Sequence, residues 1–178
     1  MSVLVRAGGP DDVESVLHVK NTSWRSAYRG LLPQDFLDGL AVTSRAVEAW
    51  RELIGSGERH LVVGEAGGRI VGFSVYGPAE DAAIGGGEVY AIYLLAEHWS
   101  TGLGRALLTR SVDHLRELGF DRAGLWVLEG NTRARRFYER FGFAPTGRVE
   151  NVAGLPVEVP ELHYGMVLAP DPGRPGTA

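Results

Sequence analysis

The hydrophobic and polar positions of the chain form a pattern that divides it into strands and helices. Seven short apolar runs are typical of strands: VLVRAG, RHLVVGEA, GRIVGFSVYGP, EVYAIYLL, AGLWVLEG, FAPTGRVENV and ELHYGMVL. The segments between them carry the capping and stop residues of helices. They predict helices from Pro10 to about Arg29, a short one beginning near Pro33, and others over residues 43–55, 104–118 and 131–142.

The order of these elements indicates the fold class. It reads strand, helices, three strands, helix, strand, helix, two strands, and Gly67-Gly68 predicts a hairpin turn between the second and third strands. Strict alternation of strand and helix, which a doubly wound fold requires, is absent. The chain is therefore predicted to form a mixed α/β sheet in a single domain, followed by a disordered Pro/Gly-rich tail over residues 169–178.

Composition and charge narrow the possible functions. The chain has 178 residues, a formal net charge of −4 and an estimated pI near 5.7, which argues against a nucleic-acid-binding face. It has no cysteine, so disulfides, thiolate metal sites and a cysteine nucleophile are excluded. The five histidines show no ligand spacing, so no metal site is expected. No apolar run is long enough to span a bilayer and the first residues lack a signal-peptide pattern, so a cytoplasmic protein is expected.

The stretch HWSTGLGRALL is the main candidate for chemistry. It places Gly102 and Gly104 between an apolar strand and a helix, an arrangement that directs backbone N–H groups at a phosphate. A dinucleotide fingerprint would need a third glycine where Leu107 stands. A Walker loop would need Lys-Ser/Thr where Arg105-Ala106 stands. The alternative is a tight strand-to-helix turn that binds nothing.

Two motifs in this half of the chain resemble the GNAT superfamily of acetyl-CoA-dependent N-acetyltransferases. Trp99 to Gly104 resembles its Q/R-x-x-G-x-G/A pyrophosphate loop, and LWVLEGNTRARRFYERFGF resembles its L-x-V-x-x-x-N-x-x-A-x-x-F-Y-x-x-x-G-F segment. The resemblance covers roughly residues 3–168, so residues 1–168 are interpreted as one GNAT-like domain. One residue departs from the pattern, because Trp99 stands where the family has Gln or Arg.

The resemblance implies a fold and a cosubstrate. The expected sheet is mixed, mostly antiparallel, of about seven strands, splayed between the fourth and fifth and flanked by helices. Acetyl-CoA is the expected cosubstrate, with its pantetheine arm on the splayed fourth strand and the Leu94 N–H polarising the thioester. Asn131 is a candidate cap of the following helix and, by the resemblance, a contact of the cosubstrate, and the two roles are compatible because its backbone and side chain can divide them. The residues expected to bind acetyl-CoA are Ile92, Tyr93, Leu94, Ser100, Thr101, Gly102, Leu103, Gly104, Arg105 and Asn131.

The resemblance also implies catalytic residues, since acetyl transfer from a thioester to an amine needs a base and an acid. Tyr138 matches the family's tyrosine acid; alternatively it belongs only to the apolar face of its helix. Glu88 is the candidate base, through water; alternatively it is a solvated residue at a strand end. Glu129 is a weaker rival, and a water chain is a third option.

The acceptor is expected to contact the first two helices and the last loop, as in the family. Trp24 and Tyr28 are four residues apart on one helix face and are the candidate substrate-binding residues, although such a pair more often belongs to the core than to a pocket. The expected function is acetyl transfer to a small-molecule amine, with no nucleic-acid or membrane partner and with a homodimer left open. Two alternatives are a non-catalytic acyl-CoA-binding module and a structural protein without a cofactor.

Overall fold

The computed structural model describes residues 3–81 and 84–168, and it contains the strands and helices that the sequence predicts. The predicted disordered tail lies outside these residues. The strands are β1 (Val3–Ala7), β2 (His60–Ala66), β3 (Arg69–Pro78), β4 (Gly87–Leu94), β5 (Arg122–Leu128), β6 (Ala144–Asn151) and β7 (Pro160–Val167). The helices are α1 (Val13–Ala27), α2 (Gln34–Asp38), α3 (Ser44–Gly55), α4 (Leu103–Glu117) and α5 (Thr132–Phe141).

The first helix begins later than the sequence predicts. Pro10–Asp12 forms a single 3-10 turn, and α1 starts at Val13. The Asp12 carboxylate accepts a hydrogen bond from the Gly9 N–H at 3.0 Å and pairs with Arg6 at 2.8 Å. These contacts hold the turn against the first strand, so the helix starts only after Asp12.

All seven described strands form one mixed sheet in the order β1-β2-β3-β4-β5-β7-β6. Neighbouring strands are antiparallel except for β4 and β5, which are parallel. β7 lies between β5 and β6, so the last strand of the chain is internal to the sheet. The prediction of a mixed, mostly antiparallel sheet of about seven strands is confirmed.

The parallel pair is joined only at its start. Gly87 pairs with Ala123 and Glu88 with Gly124, and no later residue of β4 pairs with β5. A bulge in β4 adds to the divergence, because Val75 faces Ala91 while Tyr76 faces Val89 and Tyr90 is left as the extra residue. Bulges bend and twist a strand locally. The predicted splay between the fourth and fifth strands is therefore confirmed.

Helices cover both faces of the sheet, and the strand period of two divides the core between them. Val62 packs on the face that α4 and α5 cover, while its neighbours Leu61 and Val63 pack on the face of α1 and α3. A third cluster, centred on Tyr28 and Leu37, joins the end of α1 and α2 to β5. This cluster lies beside the open end of the gap between β4 and β5.

Candidate active site

The gap between β4 and β5 opens into a cavity of about 890 Å³. Its walls are the free edge of β4, the end of β5, the loop before α4, the exposed side of α5 and the end of α1. A cavity of this size is in the range of small-molecule and cofactor sites. The residues expected to bind a cosubstrate and an acceptor should therefore meet around this cavity.

The free edge of β4 presents backbone groups to the cavity. Gly72 faces Leu94 across β3 and β4, and the Leu95 N–H donates to the Val71 carbonyl at 2.9 Å. In an antiparallel ladder this pattern marks Gly72 and Leu94 as a non-hydrogen-bonded pair, whose N–H and C=O groups point away from the partner strand. Ile92, two residues earlier, has the same orientation. Both residues thus direct their N–H and C=O groups into the gap where β5 has diverged.

Two side chains hold the Leu94 carbonyl in place. The Ser23 hydroxyl donates to it from α1 at 2.8 Å, and the Trp99 indole Nε1–H donates to it at 3.1 Å. The guanidinium of Arg133 lies over the Trp99 ring, 4.3 Å from the ring centroid. Trp99, the residue that departs from the family pattern, thus fastens the loop to the end of β4.

The loop before α4 has the geometry of an anion-binding site. Ser100 and Gly102 both have positive φ angles, 61° and 92°, on either side of Thr101, and backbone that alternates in this way gathers its N–H groups. The first hydrogen bond of α4 runs from Ala106 N–H to the Gly102 carbonyl, and no side chain caps the helix. The N–H groups of residues 103–105 therefore have no partner within the helix and lie at its positive dipole end.

Four arginines line the cavity near this helix end. Arg105 comes from α4, whereas Arg133, Arg136 and Arg140 come from one face of α5. Arg133 also donates to the Ser100 hydroxyl at 3.1 Å. The sequence motifs did not single out the α5 arginines, although their spacing of three and four residues places them on one side of a helix. With the free N–H groups, they make this end of the cavity strongly cationic.

Tyr138 lines the cavity from α5, with its ring in the core and 8% of the residue exposed. Among the described residues, its hydroxyl has no hydrogen-bond partner. Burial, with a smaller contribution from Tyr93, raises the pKa of the Tyr138 phenol. The hydroxyl therefore stays protonated at neutral pH and is free to donate to a bound group.

Aromatic side chains form the wall beside the end of α1. The rings of Trp24 and Tyr28 are 5.1 Å apart, and both pack near Tyr93 from β4. The Tyr28 and Tyr93 hydroxyls lie 3.2 Å apart. Trp24 and Tyr28 belong to a hydrophobic cluster and also line the cavity, so their core position is confirmed and their contact with an acceptor stays a prediction.

Three glutamates, of which the sequence predicted two as candidate bases, differ in their position relative to the cavity. Glu88 is buried at the closed end of the gap and lies outside the cavity lining. Its carboxylate accepts a hydrogen bond from the Glu80 N–H at 3.1 Å. Burial is the main cause of its raised pKa. Glu129 is exposed and also outside the lining. Glu161, at the start of β7, lines the cavity, and sequence reasoning missed it; the one signal was a lone acid opening an apolar strand.

Most of the predicted site residues meet at the cavity. Those that line it are Tyr138, Ile92, Tyr93, Leu94, Ser100, Gly102, Gly104, Arg105, Asn131, Trp24 and Tyr28. Thr101 does not, since its exposed side chain donates to the His98 carbonyl at 2.8 Å; Leu103 does not, since its side chain is buried in the core. Asn131 caps α5 by accepting a hydrogen bond from the Ala134 N–H at 3.1 Å.

Residues 3–81 and 84–168 contain neither a metal-binding cluster nor a membrane-spanning helix. No group of three or more histidine, cysteine, aspartate or glutamate side chains in these ranges is arranged to hold a metal ion. None of the helices in this part of the chain is long and apolar enough to cross a membrane.

Known proteins with the same motifs and fold identify the family. Residues 21–143, more than half of the chain, match the model of the acetyltransferase (GNAT) family. An uncharacterised N-acetyltransferase of Bacillus subtilis, YuaI, is 34% identical over 130 residues, covering 72% of this chain and 73% of that protein. A mycothiol acetyltransferase of Thermobispora bispora is 40% identical over 102 residues, and the match covers 56% of this chain but only 33% of that protein.

A solved structure shows the same fold with a ligand. The crystal structure of the PaiA N-acetyltransferase of Thermoplasma acidophilum, in complex with coenzyme A, superposes with a TM-score of 0.75 at 20% identity. The superposition covers 94% of this chain and all of that one. The cavity at the gap between β4 and β5, the glycine loop and the family match together show that this chain belongs to the GNAT acetyltransferase family and is an acyltransferase.

Proposed function

We propose that this protein transfers the acetyl group of acetyl-CoA to the primary amine of a small molecule. The observation that carries the proposal is that one cavity joins two kinds of unpaired backbone group. The N–H groups at the start of α4 suit a pyrophosphate, and those of Ile92 and Leu94 suit the amides and the thioester of the pantetheine arm. The two sets lie at the two ends of the loop 95–102.

In this proposal the cosubstrate lies along the cavity from the cationic end to the gap. Its phosphates bind the free N–H groups of residues 103–105 and the arginines of α4 and α5. Its pantetheine arm pairs with the free edge of β4 as a further strand would. The Leu94 N–H then donates to the thioester oxygen, and Ser23 and Trp99 keep that part of the strand in position.

The proposed reaction is a direct attack. The neutral amine nitrogen attacks the acetyl carbonyl carbon, and the carbonyl oxygen becomes an oxyanion that accepts a hydrogen bond from the Leu94 N–H. The carbon–sulfur bond then breaks, the sulfur gains a proton and the nitrogen loses one, which leaves an amide and the free thiol of CoA. The chain has no cysteine, so no cysteinyl acyl-enzyme takes part.

Tyr138 is proposed as the proton donor to the sulfur. Because burial raises the pKa of the phenol above that of a thiol, lasting transfer of its proton to the thiolate is unfavourable. We infer that Tyr138 donates a hydrogen bond to the developing thiolate and gives up its proton only as it receives another from the attacking amine.

Glu88 remains the proposed base: through water it accepts the proton that the acceptor's ammonium group loses before the neutral amine attacks. Its buried position raises the pKa of the carboxyl, which makes it a better proton acceptor at neutral pH than an exposed glutamate. Its place outside the cavity lining supports a water-mediated role over direct contact.

The size of the cavity supports a small acceptor. One space of about 890 Å³ has to hold both the pantetheine arm and the acceptor. We therefore favour a small molecule over a folded protein surface.

Calorimetric binding and thiol release test the proposal together. We expect the wild type to bind CoA in the micromolar range, about −8 kcal/mol, and Gly104→Val, which puts a branched side chain into the cavity wall, to bind it at least about tenfold more weakly. Gly9→Val is the matched control, because Gly9 does not line the cavity and a Cβ there meets no atom within 4 Å. Thiol release from acetyl-CoA in the presence of primary amines then measures turnover, without background from a cysteine-free protein.

The outcomes separate the competing functions. CoA binding with thiol release supports the transferase. CoA binding without thiol release on any primary amine would favour a non-catalytic acyl-CoA-binding module. No CoA binding by folded wild type would mean that the loop 95–102 is only a turn.

A further inference from the structure

The positive and negative side chains that line the cavity are separated from each other. Of the described residues that line it, Glu161 is the one acid, whereas the four lining arginines gather where α4 and α5 meet. Glu161, near the start of β7, pairs with Leu128 of β5, whose side chain packs in the cluster of Tyr28 and Leu37 beside α1 and α2. Because directly opposite residues share one face of a sheet, Glu161 lies at the end of the cavity that α1 and α2 border, on the other face from the helices that carry the arginines. One end therefore suits phosphates and the other suits a cation.

The Glu161 carboxylate has no partner of its own. No donor in residues 3–81 and 84–168 lies within hydrogen-bond distance of it, although the residue is half-buried. Its charged neighbours are the carboxylates of Glu150 and Glu88, which repel it rather than neutralise it. Burial first, and these carboxylates second, raise its pKa. A carboxylate in these surroundings is stabilised by a cation that enters the cavity.

The walls around this carboxylate are aromatic and apolar. Burial raises the pKa of the Tyr28 and Tyr93 phenols, and the nearby charge of Glu161 raises both further. Trp24 lies against both rings. The remaining wall comes from Val152 and Leu155, in the segment before β7. Aromatic faces attract cations, and apolar walls favour a hydrocarbon body.

We propose that Glu161 binds the ammonium group of the acceptor, and that the acceptor is a primary amine on an aromatic or aliphatic body with no anionic group beside the amine. An α-amino acid would bring its own carboxylate against Glu161 and is disfavoured. The inference rests on the proposed function, since it assigns the acceptor end of the same cavity. In this role Glu161 is a binding and specificity residue, so its loss raises the KM for the amine more than it lowers kcat.

Ligand binding to the CoA complex tests the inference without turnover. Calorimetry compares phenethylammonium, its neutral counterpart 2-phenylethanol and the zwitterion phenylalanine on wild type, Glu161→Gln and Glu158→Gln. Glu158 is exposed on the segment before β7 and does not line the cavity, so its variant matches the charge change. We expect wild type and Glu158→Gln to bind phenethylammonium at least about tenfold more tightly than the other two ligands. Glu161→Gln should lose that preference while still binding CoA.

Three results would overturn the inference: no binding of phenethylammonium to the wild-type CoA complex, equal binding by Glu161→Gln, or a preference for phenylalanine. Each leaves the proposed function standing if CoA binding and thiol release persist with other amines. Conversely, ammonium binding without thiol release would keep the cation site and reject the transferase. Steady-state kinetics on an accepted amine adds the second readout, because a purely structural role for Glu161 would lower kcat and CoA affinity together.

Discussion

The Tyr138 hydroxyl gives the residue-scale prediction, because it is buried, protonated and without a partner among the described residues. We expect Tyr138→Phe to lower kcat at least about tenfold, since the departing thiolate loses its donor. CoA affinity should stay nearly unchanged, because the hydroxyl interacts with sulfur only as the bond breaks. The melting temperature should not fall, because no hydrogen bond is lost. Thiol-release kinetics, CoA calorimetry and thermal melts measure the three quantities.

Tyr76→Phe is the matched control for this substitution. The Tyr76 hydroxyl bonds His114 Nδ1 at 2.9 Å and lies outside the cavity lining. Its loss should lower stability by roughly 1 kcal/mol and leave kcat unchanged. An unchanged kcat in Tyr138→Phe would reject the donor role.

Site residues that belong to one short motif could be predicted from the sequence, whereas residues that the fold brings in from distant parts of the chain could not. Tyr138 and the loop glycines belong to compact motifs, so the sequence could place them. Glu88 was predicted as the base from the family resemblance, and the structure places it outside the cavity lining. Glu161 comes from the last strand and reaches the site only because β7 lies beside β5, a pairing that no local pattern reveals.

At the scale of elements, the loop before α4 depends on a backbone conformation that side chains disfavour. Gly102 has a φ of 92° and a Cβ there would meet no atom within 4 Å, so Gly102→Ala costs backbone strain of roughly 1–2 kcal/mol without a clash. We expect the loop to release about 1 kcal/mol of this strain when CoA is absent. CoA binding must then restore the strained conformation, which weakens CoA affinity about fivefold. Thermal melts and CoA calorimetry measure both effects.

Gly68→Ala is the control that shows whether backbone strain at a glycine lowers CoA affinity when the glycine lies outside the loop. Gly68 also has a positive φ, 74°, and open space at its Cβ, but it lies in the hairpin between β2 and β3. We expect a similar loss of stability with unchanged CoA affinity. Equal CoA affinities in the two variants would contradict a role for the loop conformation.

Most elements were predictable because their signals are local, as with Gly119 and Gly142 after α4 and α5. The bulge at Tyr90 could not be predicted from the residues alone. Apolar and aromatic residues continue through VYAIYLL without interruption, so nothing in β4 marks the extra residue. The register follows from its partner β3, and only the family resemblance supplied the expectation of a splay.

At the scale of the whole molecule, we expect the Glu161 carboxylate to lower the stability of the folded protein at neutral pH. Glu161 has a raised pKa in the folded protein, facing Glu88 and Glu150 carboxylates and the Tyr28 and Tyr93 phenols. A raised carboxyl pKa penalises the folded state above that pKa, and the penalty is absent below the ordinary value of 4.5, where both states are protonated. Glu161→Gln should therefore melt higher than wild type at neutral pH, with the difference disappearing as the pH falls below 4.5.

Thermal melts across this pH range make the measurement, with Glu158→Gln as the exposed control. We expect the control to show little change in melting temperature at any pH. A difference between Glu161→Gln and wild type that is independent of pH, or that grows on acidification, would contradict a raised pKa for Glu161 in the folded protein.

The gap between β4 and β5 leaves the sheet one strand short of continuity until a ligand occupies it. On the proposed function, acetyl-CoA supplies that strand and binds the folded protein but not the unfolded chain. Mass action then adds about 2.7 kcal/mol to the folding free energy at a ligand concentration about one hundred times Kd. Cosubstrate supply thus acts on protein turnover as well as on catalysis: a cell depleted of acetyl-CoA would hold a larger fraction of this enzyme in the form that proteases degrade.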